Sequence, residues 1–126
     1  MITLGAVLLY MVFIAMNLAV EKTSSDEFCM SCHVHTEADN AWKLSTHFDN
    51  SPGVIVHCID CHLPPKTDIH RHLLWKAYFG AKDVYKFYLT DTEKINWEAK
   101  GDPEVATHFT FMETCTKCHS NLFPST

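Results

Sequence analysis

The sequence predicts a mainly α-helical protein with much loop, in which one N-terminal transmembrane helix precedes a small polar domain. Residues 1–20 contain no charged side chain, whereas the rest of the chain carries all ten Lys/Arg and all fifteen Asp/Glu. Clear period-two strand patterns are absent, and several segments have the helical spacing of apolar residues. The length of 126 residues fits a single domain.

Residues 1–20 have the length and composition of a transmembrane anchor. Twenty helical residues span about 30 Å, the thickness of the hydrocarbon core of a bilayer. A cleaved signal peptide and a buried core helix are the alternatives. The apolar region of a signal peptide is shorter, about 7–15 residues, and follows a positive charge, but no Lys or Arg precedes this segment. The flanking charges say little about orientation, because Lys22 is the only cation close to the segment.

A polar linker at residues 21–28 leads into the domain that we assign to residues 29–126. Ser24, Ser25 and Asp26 in the linker are residue types that cap helices. Three segments of the domain are predicted to be helical, and they are residues 36–48, 67–90 and 104–113.

Six cysteines form three pairs with the same two-residue gap, and a histidine follows each pair directly. The motifs are Cys29-Met30-Ser31-Cys32-His33, Cys58-Ile59-Asp60-Cys61-His62 and Cys115-Thr116-Lys117-Cys118-His119. C-x-x-C-H is the attachment signature of c-type haem, in which two thiols bind the vinyl groups of the porphyrin and the histidine binds iron. The sequence therefore predicts a small multihaem cytochrome c domain with three covalent haem c groups. The porphyrins would supply the core that so short a domain lacks.

Other uses of the cysteines explain the pattern less well. A zinc site built from CxxC pairs needs two pairs for each metal, so three pairs leave one over. A thioredoxin-like redox site needs a βαβ pattern, which is absent. Three disulfides would leave the histidine after every pair without a reason.

Each haem iron takes a second axial ligand, usually Met or His, and six histidines lie outside the motifs. His108, seven residues before the third motif, is predicted on a helix with Phe109 and Phe111 and is a candidate distal ligand. His47, at the end of a predicted helix, is another candidate.

The remaining histidines receive weaker assignments from the sequence. We expect His70 and His72 to lie at the surface or beside haem propionates, and His57 to pack against the haem attached at Cys58.

The charge and the motifs limit the location and the partners. A formal charge of −5 argues against a nucleic-acid partner, which requires a basic face. Haem attachment of this kind takes place outside the cytoplasm. We therefore expect a single-pass protein of the cytoplasmic (inner) membrane of a prokaryote, with its C-terminal domain on the periplasmic side.

The arrangement resembles the NapC/NrfH family of membrane-anchored multihaem quinol dehydrogenases. The matching stretches are the N-terminal helix, FCMSCH at 28–33, STHFDNSPG at 45–53, CIDCHLP at 58–64, WKAYFGAKD at 75–83 and THF with CTKCH at 107–119. The resemblance implies oxidation of a membrane quinol such as menaquinol, with electrons passed to a periplasmic multihaem reductase or to other respiratory subunits. It implies a quinol dehydrogenase subunit rather than a terminal reductase.

The chain departs from the family pattern in two ways. The family usually has four haems, and this chain ends seven residues after its third motif. We expect a fourth haem segment to be missing at the C-terminus, and His47, which matches a distal ligand in the family, to serve that haem. In NrfH-like members a Met two residues after the first motif can ligate the first haem. His35 takes that position here and should lower the potential of that haem.

The resemblance also implies a quinol site at Lys76 and Asp83. The two residues are seven apart and share one face of the predicted helix, so that Lys can hold a quinone oxygen while the carboxylate accepts a proton. An ordinary solvated charge pair is the alternative, and Lys82 is the nearest competitor of Lys76.

Two other functions stay open at this point. One is an anchoring and electron-relay subunit of a larger respiratory complex without a quinol site of its own. The other is a haem reductase acting on a small molecule, which the spare histidines argue against because it needs an open iron position.

Overall fold

The structure, a computed structural model, describes residues 2–119. Residues 120–126, on which the expectation of a further haem segment partly rests, lie outside the described residues. Within residues 2–119 the regular elements are all helical, as the sequence predicts. They are α1 (Ile2–Lys22), α2 (Asp26–Met30), α3 (Thr36–Lys43), α4 (Cys58–His62), α5 (Ile69–Leu89), α6 (Trp97–Lys100), α7 (Pro103–Ala106) and α8 (Met112–Cys118), with 3₁₀ turns at His33–His35 and Thr92–Lys94.

Helix α1 has the properties of a membrane span. Residues Thr3–Lys22 form 20 helical residues with a mean hydropathy of 2.1, and none of its most apolar stretch is buried against the rest of the chain. The helix continues two residues beyond the boundary at residue 20 that the sequence predicts. An apolar helix with no protein partner requires an apolar environment, and a bilayer supplies one.

Helix α3 ends five residues earlier than predicted, at Lys43. The Ser45 hydroxyl donates to the carbonyl oxygen of Trp42 at 2.7 Å and accepts from the backbone N–H of His47 at 3.2 Å. A serine that satisfies backbone groups locally competes with helix propagation. His47 therefore lies in a turn after α3 and not on a helix.

Helix α5 agrees closely with the predicted helix at residues 67–90. The carboxylate of Asp68 caps its first turn by accepting from the backbone N–H of Arg71 at 3.1 Å. Such a cap satisfies one of the N–H groups that a helix start leaves unpaired.

The helix predicted at residues 104–113 is wrong, because the chain breaks after α7 at Ala106 and resumes at α8. The hydroxyl of Thr110 donates to the carbonyl oxygen of Ala106 at 2.8 Å, which closes the turn. The backbone N–H of Phe111 then bonds the carbonyl oxygen of Cys61 at 3.2 Å. A contact with α4 thus replaces the helical hydrogen bond that Phe111 would otherwise make.

The described residues bury very little apolar surface. Among the described residues the buried apolar side chains are Val34 and Leu63, with 2% and 6% of their surface exposed, and Pro64, which follows Leu63. A domain of this size normally needs a larger core or a cofactor to fold. The shortage of core agrees with a domain built around large apolar groups.

Candidate haem and quinol site

The three CxxCH motifs meet around α4, which carries the second motif and packs against both α2 and α8. On one side, a carboxylate oxygen of Asp26 accepts from the backbone N–H of Cys58 at 3.0 Å. On the other side, the Phe111–Cys61 bond fixes the start of α8. The second motif therefore lies between the first and the third.

The thiols of neighbouring motifs are close enough to perturb one another. A hydrogen bond with the Cys58 thiol lowers the pKa of the Cys29 thiol to about 7. Burial, with the nearby Cys115 and Cys118, raises the pKa of Cys61. Haems attached at the three motifs would therefore lie in space in the order first, second, third.

His62 has the geometry of a haem-iron ligand. Its Nδ1 lies 2.8 Å from the carbonyl oxygen of Phe109, so that Nδ1–H donates there and Nε2 keeps its lone pair. Iron-binding histidines characteristically hold their second nitrogen in this way. A cavity of about 120 Å³ lies beside it, lined by residues that include Cys58, Cys61 and Trp42.

The cysteines fit covalent haem better than the alternatives. All six lie in the described part of the chain, and none forms a disulfide. Within residues 2–119 no group of three or more His, Cys, Asp or Glu side chains is arranged to hold a metal ion. Haem c bound at the three motifs would also supply the missing core.

His33 and His119 lie beside aromatic partners. The exposed ring of His33 is 4.8 Å from the ring of Phe87 on α5, measured between centroids. The ring of His119 is 6.1 Å from that of His47, edge to face.

A network of hydrogen bonds holds His47 between the second and third motifs. Its carbonyl oxygen accepts from the backbone N–H of Val56 at 2.9 Å, and Val56 accepts from the indole of Trp42 at 2.9 Å. Its side chain lines the cavity beside His62 as well as facing His119. His47 therefore approaches two motifs of this chain.

Two of the other histidines differ from expectation, and a third, His57, makes an ion pair that the sequence did not predict. His108 is exposed on the turn between α7 and α8, since the predicted helix does not form there. His57 pairs with the carboxylate of Asp26, with Nδ1 and Oδ2 2.6 Å apart. His72 is buried, with 2% of its surface exposed, so the prediction that it lies at the surface is wrong.

His72 is the residue that sequence reasoning missed. Its Nδ1 lies 2.7 Å from the carbonyl oxygen of Pro64, and its Nε2 is buried without a hydrogen-bond partner among the described residues. The available signal was its position four residues before Lys76 and eleven before Asp83, on the same face of α5.

That face of α5 connects the first motif with the end of the membrane helix. The Asp83 carboxylate lies 3.6 Å from Nε2 of His35, whose Nδ1 lies 2.7 Å from the carbonyl oxygen of Cys29. The nearby carboxylate of Asp83 raises the pKa of His35. Asp83 is therefore in contact with the segment that carries the first motif.

Lys76 meets the other end of this region. Its Nζ donates to the carbonyl oxygen of Thr23, the residue directly after α1, at 2.7 Å. Burial lowers the pKa of Lys76. The two residues that the resemblance implies thus share a helix face but contact different partners.

A cavity of about 520 Å³ lies where α1, α2 and the start of α5 meet. Asn17 and Val20 of the membrane helix line it together with Asp26, Lys66, Ile69 and His72. It begins within the last turns of the membrane span.

Comparison with known proteins identifies the family. The family model described as the NapC/NirT cytochrome c family, N-terminal region, matches residues 1–124. The tetraheme c-type cytochrome CymA of Shewanella oneidensis is 34% identical over 131 residues, which cover 98% of this chain and 68% of CymA. The cytochrome c-type protein TorC of Escherichia coli is 29% identical over 128 residues, and the aligned region spans 95% of this chain but about a third of TorC, 32%.

A solved structure supports the same assignment. It is the cytochrome c nitrite reductase NrfHA complex bound to the inhibitor HQNO, with a TM-score of 0.64 and 28% identity, covering 95% of this chain and 74% of the matched chain. The family model and the structural match both extend over nearly the whole chain. The chain therefore belongs to the NapC/NirT cytochrome c family and is a membrane-anchored multihaem cytochrome c.

Proposed function

We propose that this protein oxidises a membrane quinol, menaquinol, and passes the electrons through its haem c groups to a periplasmic multihaem reductase. One observation carries the proposal. A single face of α5 joins the end of the membrane helix, through Lys76 and Thr23, to the first haem motif, through Asp83 and His35. A quinol head group that leaves the bilayer beside the end of α1 would reach this face.

The side chains on this face suit quinol oxidation, which releases two electrons and two protons. The ammonium of Lys76 has three N–H donors and uses one on Thr23, so that others are free to hold a quinone oxygen. The carboxylate of Asp83 accepts a proton from the quinol hydroxyl as a general base. Haem c, when bound at the first motif, supplies a one-electron acceptor.

The order of the motifs in space supports onward transfer from the first to the third. Helix α2 with the first motif packs against α4 with the second, and α4 packs against α8 with the third. Electrons that enter at the first motif would leave at the third, where we expect the reductase to dock. The NrfHA complex, which is a cytochrome c nitrite reductase, supports a partner of this class.

The proposed location is the inner membrane of a prokaryote, with α1 as the single span. Since haem c is attached outside the cytoplasm, the domain after α1 would lie in the periplasm and the N-terminus in the cytoplasm.

The second candidate function is an anchoring and electron-relay subunit without a quinol site. The Lys76–Thr23 bond also favours this function, because a lysine that only fixes α5 to the end of α1 would make the same contact.

Quinol-dependent haem reduction in the Asp83→Asn variant separates the two functions. The substitution removes the proton acceptor and leaves the volume almost unchanged. Since a general base contributes about 10²–10⁴-fold, we expect a loss of about 100-fold in the rate at which a menaquinol analogue reduces the haems. Haem content and reduction by dithionite should be normal.

The matched control is Asp49→Asn, since Asp49 is exposed in the loop before the second motif. Its rate should equal that of the unchanged protein, and the inhibitor HQNO should slow both. Full quinol oxidation by Asp83→Asn would reject the role of Asp83. Reduction that occurs only through another subunit, in the unchanged protein, would establish the relay function instead.

A further inference from the structure

Helix α5 carries an exposed apolar stripe on the side away from Lys76 and Asp83. Its large members are Leu74, Tyr78, Tyr85 and Tyr88, with 72%, 56%, 63% and 76% of their surfaces exposed. With Ala81 they follow the spacing i, i+4, i+7, i+11 and i+14, which keeps them on one face of a helix.

The stripe is too long and too apolar to be an ordinary solvated surface. Fourteen residues of helix separate Leu74 from Tyr88, a length of about 21 Å. Neighbouring aromatic residues on α5 do find partners, since Trp75 and Phe79 both pack against Phe111. Contiguous exposed apolar patches of this extent mark a surface that binds something.

The position of α5 indicates the bilayer as the partner. Lys76 is bonded to the first residue after the membrane span, and Ile69 shares a cavity with Asn17 and Val20 inside the span. The first turns of α5 therefore lie at the depth where α1 leaves the hydrocarbon core.

The charge of α5 agrees with an anionic lipid surface. The helix contains four Lys/Arg and one Asp, whereas the other residues of the chain contain six Lys/Arg and fourteen Asp/Glu. Two of the four cations bind within the protein, Arg71 to Glu113 and Lys76 to Thr23, so Lys82 and Lys86 are the ones that can face lipid. Lys/Arg on an amphipathic helix are attracted by anionic lipids. Two copies of this cationic helix placed face to face would repel each other, which disfavours a second copy of the chain as the partner.

We propose that α5 is a second membrane-contacting element, lying in the interface with its stripe against the boundary between head groups and acyl chains of an anionic bilayer. The chemistry of the stripe fits this depth, because tyrosines are enriched at membrane interfaces, where the ring is buried and the hydroxyl stays wet. The contact is independent of whether the protein oxidises quinol.

Photolabelling of the full-length haem-loaded protein tests the proposal. The protein is reconstituted into phosphatidylglycerol vesicles in which a fraction of the lipid carries a diazirine on its acyl chain, and adducts are mapped by mass spectrometry after illumination. We expect about tenfold more adducts on residues 74–88 than around Leu44, which is exposed to 89% but lies at the end of α3. Adducts on α1 serve as the internal positive control.

Changing Tyr78 and Tyr85 to Ser should reduce labelling of α5 several-fold while labelling of α1 and haem content stay the same. Replacing phosphatidylglycerol by phosphatidylcholine should weaken labelling of α5 alone. Labelled α1 with unlabelled α5 would overturn the proposal. Protein–protein crosslinks between the α5 helices of two copies, in place of lipid adducts, would also overturn it.

Discussion

Nε2 of His35 lies 3.6 Å from Oδ2 of Asp83, while Nδ1 of the same ring lies 2.7 Å from the carbonyl oxygen of Cys29. Both oxygens are acceptors, so each ring nitrogen would need a proton in order to donate to its neighbour. An iron ligand must instead offer a lone pair, as Nε2 of His62 does. His35 can therefore serve Asp83 or an iron through Nε2, but not both at once.

Replacing His35 with Met tests which role applies. If His35 ligates the first haem, the thioether should raise the midpoint potential of one haem, because thioether ligation favours the reduced iron relative to imidazole. A spectroelectrochemical titration of the purified variant measures all potentials together. Unchanged potentials would show that His35 interacts with Asp83 and does not bind the first haem iron, so that His33 would be the histidine of this segment that does.

Lys76→Met should weaken both the quinol site and the junction with α1. Met keeps most of the volume but removes the donor to Thr23, a bond to a charged group worth about 1–2 kcal/mol in a half-buried position. We expect thermal unfolding at a lower temperature and at least about tenfold slower quinol-dependent haem reduction.

Lys82→Met is the matched control, because Lys82 lies on the same helix but is exposed and points elsewhere. Its quinol oxidation should stay within about twofold of the unchanged protein. Equal losses in both variants would show that general charge on α5 matters and Lys76 does not.

The local pattern of this sequence predicts α1, α5 and the cysteine pairs well, because each depends on residues that are close in the chain. An uncharged run of twenty residues fixes α1, and the Asp68 cap with its periodic apolar residues fixes α5. The helix predicted at residues 104–113 fails because its end is decided by a distant group. Phe111 bonds Cys61, fifty residues earlier, and no local pattern reports that contact.

The burial of His72 escaped prediction for the same reason. Two histidines in I-H-R-H look equivalent in sequence, yet His70 is exposed and His72 is buried beside Pro64. Which of the two histidines is buried depends on where the second motif lies relative to α5. Contacts across the motifs, such as Asp26 with His57, could not be inferred from spacing either.

The Asp26–His57 pair should make stability depend on pH. The hydrogen bond to Asp26 raises the pKa of His57, so this contribution is present below the unfolded value of 6.5 and is lost as pH rises through the folded pKa. Burial opposes the shift at Asp26, but the bonds from His57 and Cys58 outweigh it and lower its pKa below 3.8. That contribution is lost only as pH falls through the lowered value.

Thermal unfolding between pH 4 and pH 9 checks this expectation. His57 is largely exposed, so the pair is worth only about 0.2–1 kcal/mol and should weaken in salt. His57→Gln should remove the loss of stability above neutral pH, whereas His70→Gln, at an exposed position, should retain it. The same pH profile in both variants would exclude the pair as the cause.

Removing the second haem should damage the domain more than removing the third. Changing Cys58 and Cys61 to Ala, or Cys115 and Cys118 to Ala, should lower the haem count from three to two per chain in a pyridine haemochrome assay and in intact mass. The substitutions at Cys58 and Cys61 affect α4. This helix connects α2 and α8 through the Asp26–Cys58 and Phe111–Cys61 bonds.

Loosening α4 puts both of these hydrogen bonds between helices at risk, at about 1 kcal/mol each, whereas loosening α8 puts only the Phe111–Cys61 bond at risk. The variant without the second haem should therefore unfold at a clearly lower temperature than the variant without the third. Equal stability of the two variants would show that α4 does not hold the domain together. Zinc in place of haem in the unchanged protein would reject the covalent haem assignment altogether.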